Sequence, residues 1–180
     1  MKSYNTQLRS SRSYCSWIAG ILLTIACILF IISHIHVRWS NFPFAYRNIG
    51  SVYTGLWYRH AVYSGRLVKF RIICANERMP CIKLIIARIF MVMTCITSGI
   101  GAIYLFIISM FKNINKSIVY IGGFSLACLS FVFGTIGFLF GLSWVIQFER
   151  DNIGSAAICA LVGSLFSFIS AICAFFINSN

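Results

Sequence analysis

Four long apolar runs, approximately residues 16–37, 82–111, 117–148 and 153–177, divide this chain. A helix needs about 20 apolar residues to cross the roughly 30 Å hydrocarbon layer of a bilayer, and each run reaches that length. The second and third exceed it, so they must tilt or project beyond the bilayer, the third furthest. With 59 % hydrophobic and 10 % charged residues, the chain lacks the charged surface of a soluble domain. The first run follows Lys2, Arg9 and Arg12, as the apolar part of a signal peptide would. It is too long for one, however, and Ser33-His34-Ile35 offers no small-residue cleavage site, so it reads as a retained helix.

Fifteen Lys and Arg against three acidic residues leave a net charge of +12, almost wholly outside the apolar runs. That charge suits anionic lipid headgroups, and no soluble fold is available to present a nucleic-acid-reading element. Four spans place both termini on one side. Lys2, Arg9, Arg12, Lys112 and Lys116 favour the cytoplasm for that side. The first loop, 38–81, holds Arg38, Arg47, Arg59, Arg66, Lys69, Arg71 and Arg78, which pull the other way, so the charges alone leave the orientation open.

Small residues form the clearest periodic pattern. Gly123, Ala127, Ser130, Gly134, Gly137 and Gly141 recur in the third run at alternating steps of four and three, and Ala156, Ala160, Gly163, Ser167, Ser170 and Ala174 do so in the fourth. Such a seam lets helix backbones approach closely in lipid, and its 3.5-residue repeat implies a left-handed four-helix bundle. Ala87, Thr94, Ser98 and Gly101 extend the pattern in part to the second run.

The first loop reads as a small antiparallel β-sheet. Val68, Phe70, Ile72 and Cys74 alternate with Lys69, Arg71 and Ile73, the period of a strand with one buried face. A two-residue turn at Ser64-Gly65 would set Tyr63 opposite Arg66, Tyr58 opposite Arg71 and Trp57 opposite Ile72. Trp57 would then cover the bundle while its indole N–H finds a carbonyl. Trp39 fits either that role or an ordinary place at the membrane interface.

Trp39, then Gly55-Leu56-Trp57 in a first loop of some forty residues, then Arg88 near the start of the second span, resembles the claudin superfamily, which includes the peripheral myelin and epithelial membrane proteins and the calcium-channel gamma subunits. Gly141-Leu142-Ser143-Trp144, with Arg150-Asp151 following, resembles claudins too. The resemblance implies one claudin-like domain over 1–180, a plasma-membrane protein with cytoplasmic termini, an extracellular sheet, and an Arg88 that hydrogen-bonds carbonyls at the base of that sheet. One departure is clear. The family continues Gly-Leu-Trp with two residues and a cysteine, and here that position is His60. Cys74 and Cys81 are the only cysteines of the loop, and a disulfide between them would close a small local loop, unlike the family's staple across the hairpin.

The chain offers little for other chemistry. His34 and His36 do not share a helical face, and no closely spaced cysteine or carboxylate completes a metal site with them or with His60. Glu77, Glu149 and Asp151 lie outside the spans and no C-x-x-C motif occurs, so neither an enzyme nor a cofactor is expected. The remaining cysteines read as apolar fillers, with Cys15 also placed for acylation beside the first span. Two functions follow from the resemblance. One is lateral assembly with related four-span proteins at cell junctions, as an adhesive or paracellular component, with Lys69, Arg71, Arg59 and Arg66 as a candidate anion-preferring path or partner surface. The other is an auxiliary subunit of an ion channel or receptor. The short segment between the third and fourth spans and a C-terminus almost flush with the membrane weaken the first.

Overall fold

A computed structural model of the chain describes residues 2–36, 38–42, 49–63, 66–72, 79–110, 116–149 and 152–179. It is mainly helical. The helices are α1 (Lys2–Ile35), α2 (Met79–Met110), α3 (Lys116–Glu149) and α4 (Ser155–Ser179). Each contains a stretch long and apolar enough to cross a membrane: Tyr14–Ile35, Cys81–Met110, Ile121–Ile146 and Ser155–Phe176. α1 begins well before residue 16, so the segment that carries Lys2, Arg9 and Arg12 continues the helix. The helices form a ring in which α1 packs on α2 and α4, and α3 packs on the same two. Isoleucines such as Ile28, Ile89, Ile103 and Ile158 cover the outside, a distribution suited to lipid and unsuited to water.

All twelve residues of the two small-residue stripes are buried, as are Ala87, Thr94, Ser98 and Gly101 of α2. The expected close approach of backbones is found at Gly137, where an added methyl would stand 3.3 Å from the Met91 backbone nitrogen. The glycines make recesses for large side chains of other elements. A methyl on Gly134 would stand 2.8 Å from the Phe30 ring, and Gly163 borders the same ring at 3.1 Å, so this α1 phenyl is seated between α3 and α4. Gly123 receives Leu105, Gly137 receives Met91, and Gly141 receives the Trp39 indole. Direct contact of small residues across α3 and α4 occurs at Ser130 and Ser167, whose hydroxyl oxygens lie 3.1 Å apart. Ser170 Oγ donates to the Ala19 carbonyl at 2.9 Å and Ser16 Oγ to that of Leu105 at 3.2 Å, so hydroxyls also join helices α4 to α1 and α1 to α2.

At the end of the bundle where α1 and α3 finish lies a five-stranded antiparallel sheet of order β4-β3-β2-β1-β5. Its strands are β1 (Ser40–Phe42), β2 (Ile49–Thr54), β3 (Tyr58–Tyr63), β4 (Arg66–Arg71) and β5 (Asn152–Ile153). The β3–β4 register is the expected one, with Tyr63 opposite Arg66 and Tyr58 opposite Arg71. The turn residues Ser64 and Gly65 lie outside the described residues. β5 has no counterpart in the sequence reading. It comes from the short α3–α4 connection and pairs Ile153 with Ser40, so both connections at this end belong to one sheet. Gly154 makes the junction possible. Its N–H donates to the Trp39 carbonyl at 2.7 Å, and a side chain there would overlap the Arg38 carbonyl. That same Arg38 carbonyl accepts the N–H of Ala156 at 2.9 Å, one of the first-turn donors of α4 that the helix itself leaves without a partner.

Candidate functional site at the junction of sheet and bundle

Gly55-Leu56-Trp57 is the tight link between β2 and β3. The Gly55 N–H donates to the Tyr58 carbonyl at 2.9 Å, and Leu56 is driven into the bundle with no exposed surface. Arg88, from the second turn of the apolar part of α2, holds this link from below. Its Nε donates to the Leu56 carbonyl at 2.8 Å, its Nη2 to the Ile72 carbonyl at 3.4 Å, and its guanidinium lies 4.6 Å from the centre of the Trp57 ring. The expected carbonyl bonding by Arg88 is therefore present, with a cation–π contact added to it. A guanidinium suits the position because its planar fork meets two carbonyls and an aromatic face together.

Trp39 takes the core role of the two open to it, and Trp57 packs against that core as expected but with a different partner for its N–H. Trp39 is fully buried, its Nε1 donating to the Ser33 carbonyl at 2.8 Å and its ring filling the recess at Gly141. It is a core residue. Trp57 is half-buried, and its N–H finds the His34 Nε2 at 3.0 Å instead of a carbonyl. Accepting that bond places the His34 ring proton on Nδ1, which is buried without a partner among the described residues. Trp144 also joins this core, together with Leu84, Met91 and Val145.

The expected buried face of β4 is not formed. All six of its residues are exposed, Phe70 at 52 % and Val68 at 38 %, and β4 is the outer strand of the sheet. Ile72, just past the strand, does pack on the core beside Trp57. The four basic candidates also divide. By register, Arg59 and Arg66 share the Trp57 side of the sheet, and Arg59 Nε donates to Thr54 Oγ1 at 3.3 Å. Lys69 and Arg71 lie on the opposite side, where the Lys69 ammonium sits 3.8 Å from the centre of the Tyr58 ring.

His60, standing where the family resemblance places a cysteine, pairs with Tyr53 on one side and Lys69 on the other. Burial, and then the Lys69 charge, hold its pKa below the ordinary imidazole value of 6.5. Its Nε2 is buried with no hydrogen-bond partner among the described residues. His34 and His36 serve different surroundings, the first at Trp57 and the second beside Arg38, whose N–H donates to the His36 Nδ1 at 3.3 Å. Cys81 is a free thiol, and Cys74, its expected partner, lies outside the described residues. Among the described residues no three His, Cys, Asp or Glu side chains cluster as metal ligands would.

Sequence reasoning missed β1, β2 and β5. β2 carried a signal in Val52, Tyr53 and Thr54, a run of high β-propensity residues, whereas three-residue β1 and two-residue β5 are too short to show one. No family model matches the chain, and no curated protein matches it.

Proposed function

We propose that the chain is a claudin-like plasma-membrane protein whose four helices form a left-handed bundle with both termini in the cytoplasm. Its sheet lies outside the cell and assembles laterally with related four-span proteins at cell contacts. The observation that carries this reading is the junction of Trp39, Gly55-Leu56-Trp57 and Arg88, in which the residues of the resemblance meet in one place and tie an exposed sheet to the bundle. A sheet held rigidly above a membrane, with an exposed outer strand, is suited to contact with neighbouring molecules. Lys69 and Arg71 would then line an aqueous path on the side away from Trp57, and a narrow path of one charge sign favours the opposite ion, here chloride over sodium.

Expression in a cell layer without junctional strands of its own, with imaging and dilution potentials, tests this reading. Enrichment at contacts and an anion preference reversed by Lys69→Glu with Arg71→Glu are expected. Unchanged selectivity, with the protein at contacts, removes the path. A second reading, an auxiliary subunit of a channel or receptor, gains from β5. The α3–α4 connection is used up as an edge strand and leaves little to reach an opposed cell. Co-purification with a channel, without enrichment at contacts, is the outcome that supports this second reading.

A further inference from the structure

A recess of about 420 Å³ lies between the end of α1 and the sheet, lined by Ile35, His36, Arg38, Tyr53, His60 and Leu67. Its polar groups fit an anion. The Arg38 guanidinium stands 5.1 Å from the centre of the Tyr53 ring, two imidazoles face the same space, and Lys69 adds positive charge beside His60. No described side chain lining it is acidic. The His60 Nε2, buried without a partner among the described residues, is the kind of group that a bound acceptor or donor would satisfy.

Its position selects the source of the anion. Ile35 is both a wall of the recess and the last residue of a stretch long enough to cross a membrane, so the recess opens where that stretch ends. Below it Ile28, Ile31, Ile32 and Ile35 make a continuous exposed apolar ladder up one side of α1. A soluble anion would use the basic groups and leave the ladder unused. A molecule with an acyl chain on the ladder and a phosphate in the recess uses both.

We infer that this recess binds the phosphate of an anionic phospholipid headgroup, with Arg38 as the main charge partner, His60 and His36 as hydrogen-bonding groups, and an acyl chain along α1. Such a lipid would tie the sheet to the leaflet at its β2–β3–β4 side, across from the Arg88 junction. The site does not depend on the proposed action at cell contacts.

The test uses the purified full chain in mixed micelles of phosphatidylglycerol and phosphatidylcholine, with bound lipid counted by native mass spectrometry. The wild type should retain phosphatidylglycerol in preference. Arg38→Gln should cut that preference about fivefold, the effect of one basic group near a lipid surface. His60→Gln should lower it in the same direction, and more at acidic pH, where the wild-type imidazole is protonated. Arg66→Gln, the same loss of charge outside the recess, should leave it unchanged. Circular dichroism identifies a misfolded variant, and if Arg38→Gln is one, His60→Gln decides. An equal loss in Arg66→Gln, no preference in the wild type, or displacement of the lipid by millimolar inorganic phosphate would overturn the assignment, the last by making it a soluble-anion site.

Discussion

Arg88 satisfies two carbonyls that the fold leaves open, those of Leu56 and Ile72, at a point where the link between β2 and β3 is pressed into apolar surroundings. A hydrogen bond from a charged donor contributes about 1.5 to 3 kcal/mol, and its removal also leaves a buried acceptor without a partner. Arg88→Gln should therefore lower the stability of the folded protein in detergent by about 2 kcal/mol, read as the shift of a denaturant or thermal transition. Arg88→Lys should recover only part of this, since an ammonium cannot span both carbonyls and lie flat on Trp57. A transition unchanged in both variants would show that the junction is held by apolar packing alone.

At the scale of elements, the glycines of the α3 stripe work as a row of sockets. Phe30, Met91, Leu105 and Trp39 supply the bulk, and Gly134, Gly137, Gly123 and Gly141 supply the space. The distribution explains how four helices rich in small residues still fill their core. Within the stripes Gly137 is the one that faces backbone: a methyl there would lie 3.1 Å from the Met91 side chain and 3.3 Å from its backbone nitrogen, which cannot swing aside. Gly137→Leu should overpack the contact between α2 and α3 at a cost of about 1 to 3 kcal/mol, and hold the protein in the endoplasmic reticulum. Gly99→Ala is the matched control, because its nearest neighbour is Cys27 Sγ at an ordinary 3.7 Å, and it should reach the cell surface normally. Surface staining distinguishes the two, and equal delivery would remove the socket interpretation at Gly137.

For the whole molecule, sidedness follows from the proposed orientation. Ser64→Asn with Arg66→Thr creates an Asn-Gly-Thr sequon at the β3–β4 turn, and Asn-Gly is well suited to a two-residue hairpin. This variant should acquire a glycan, seen as an endoglycosidase-sensitive shift in mobility. The natural Asn115-Lys116-Ser117 sequon, where α3 begins, should stay unmodified. A glycan at Asn115, with none at the engineered turn, would invert the molecule in the membrane, and with it the leaflet that supplies the lipid to the recess beside Arg38.

Hydropathy determined the four helices, because a chain in lipid must satisfy its backbone within each span and only a long apolar helix does so. Local alternation and turn chemistry determined the β3–β4 register, because a two-residue turn leaves one pairing. Periodicity placed every small residue of the α3 and α4 stripes inside, since a helical stripe has one face. What fills those stripes was decided only in three dimensions, where side chains more than a hundred residues distant, such as Phe30 at Gly134, meet them. The same is true of the two tryptophans. Their spacing says that both lie near the membrane boundary, but it was the pairing of β1 with β2 and β5 that drew Trp39 into the core and left Trp57 to His34 and Arg88. β4 shows the converse: its alternation promised a buried face, and its place at the edge of the sheet denied it one, because burial depends on what lies beneath a strand as well as on its own pattern.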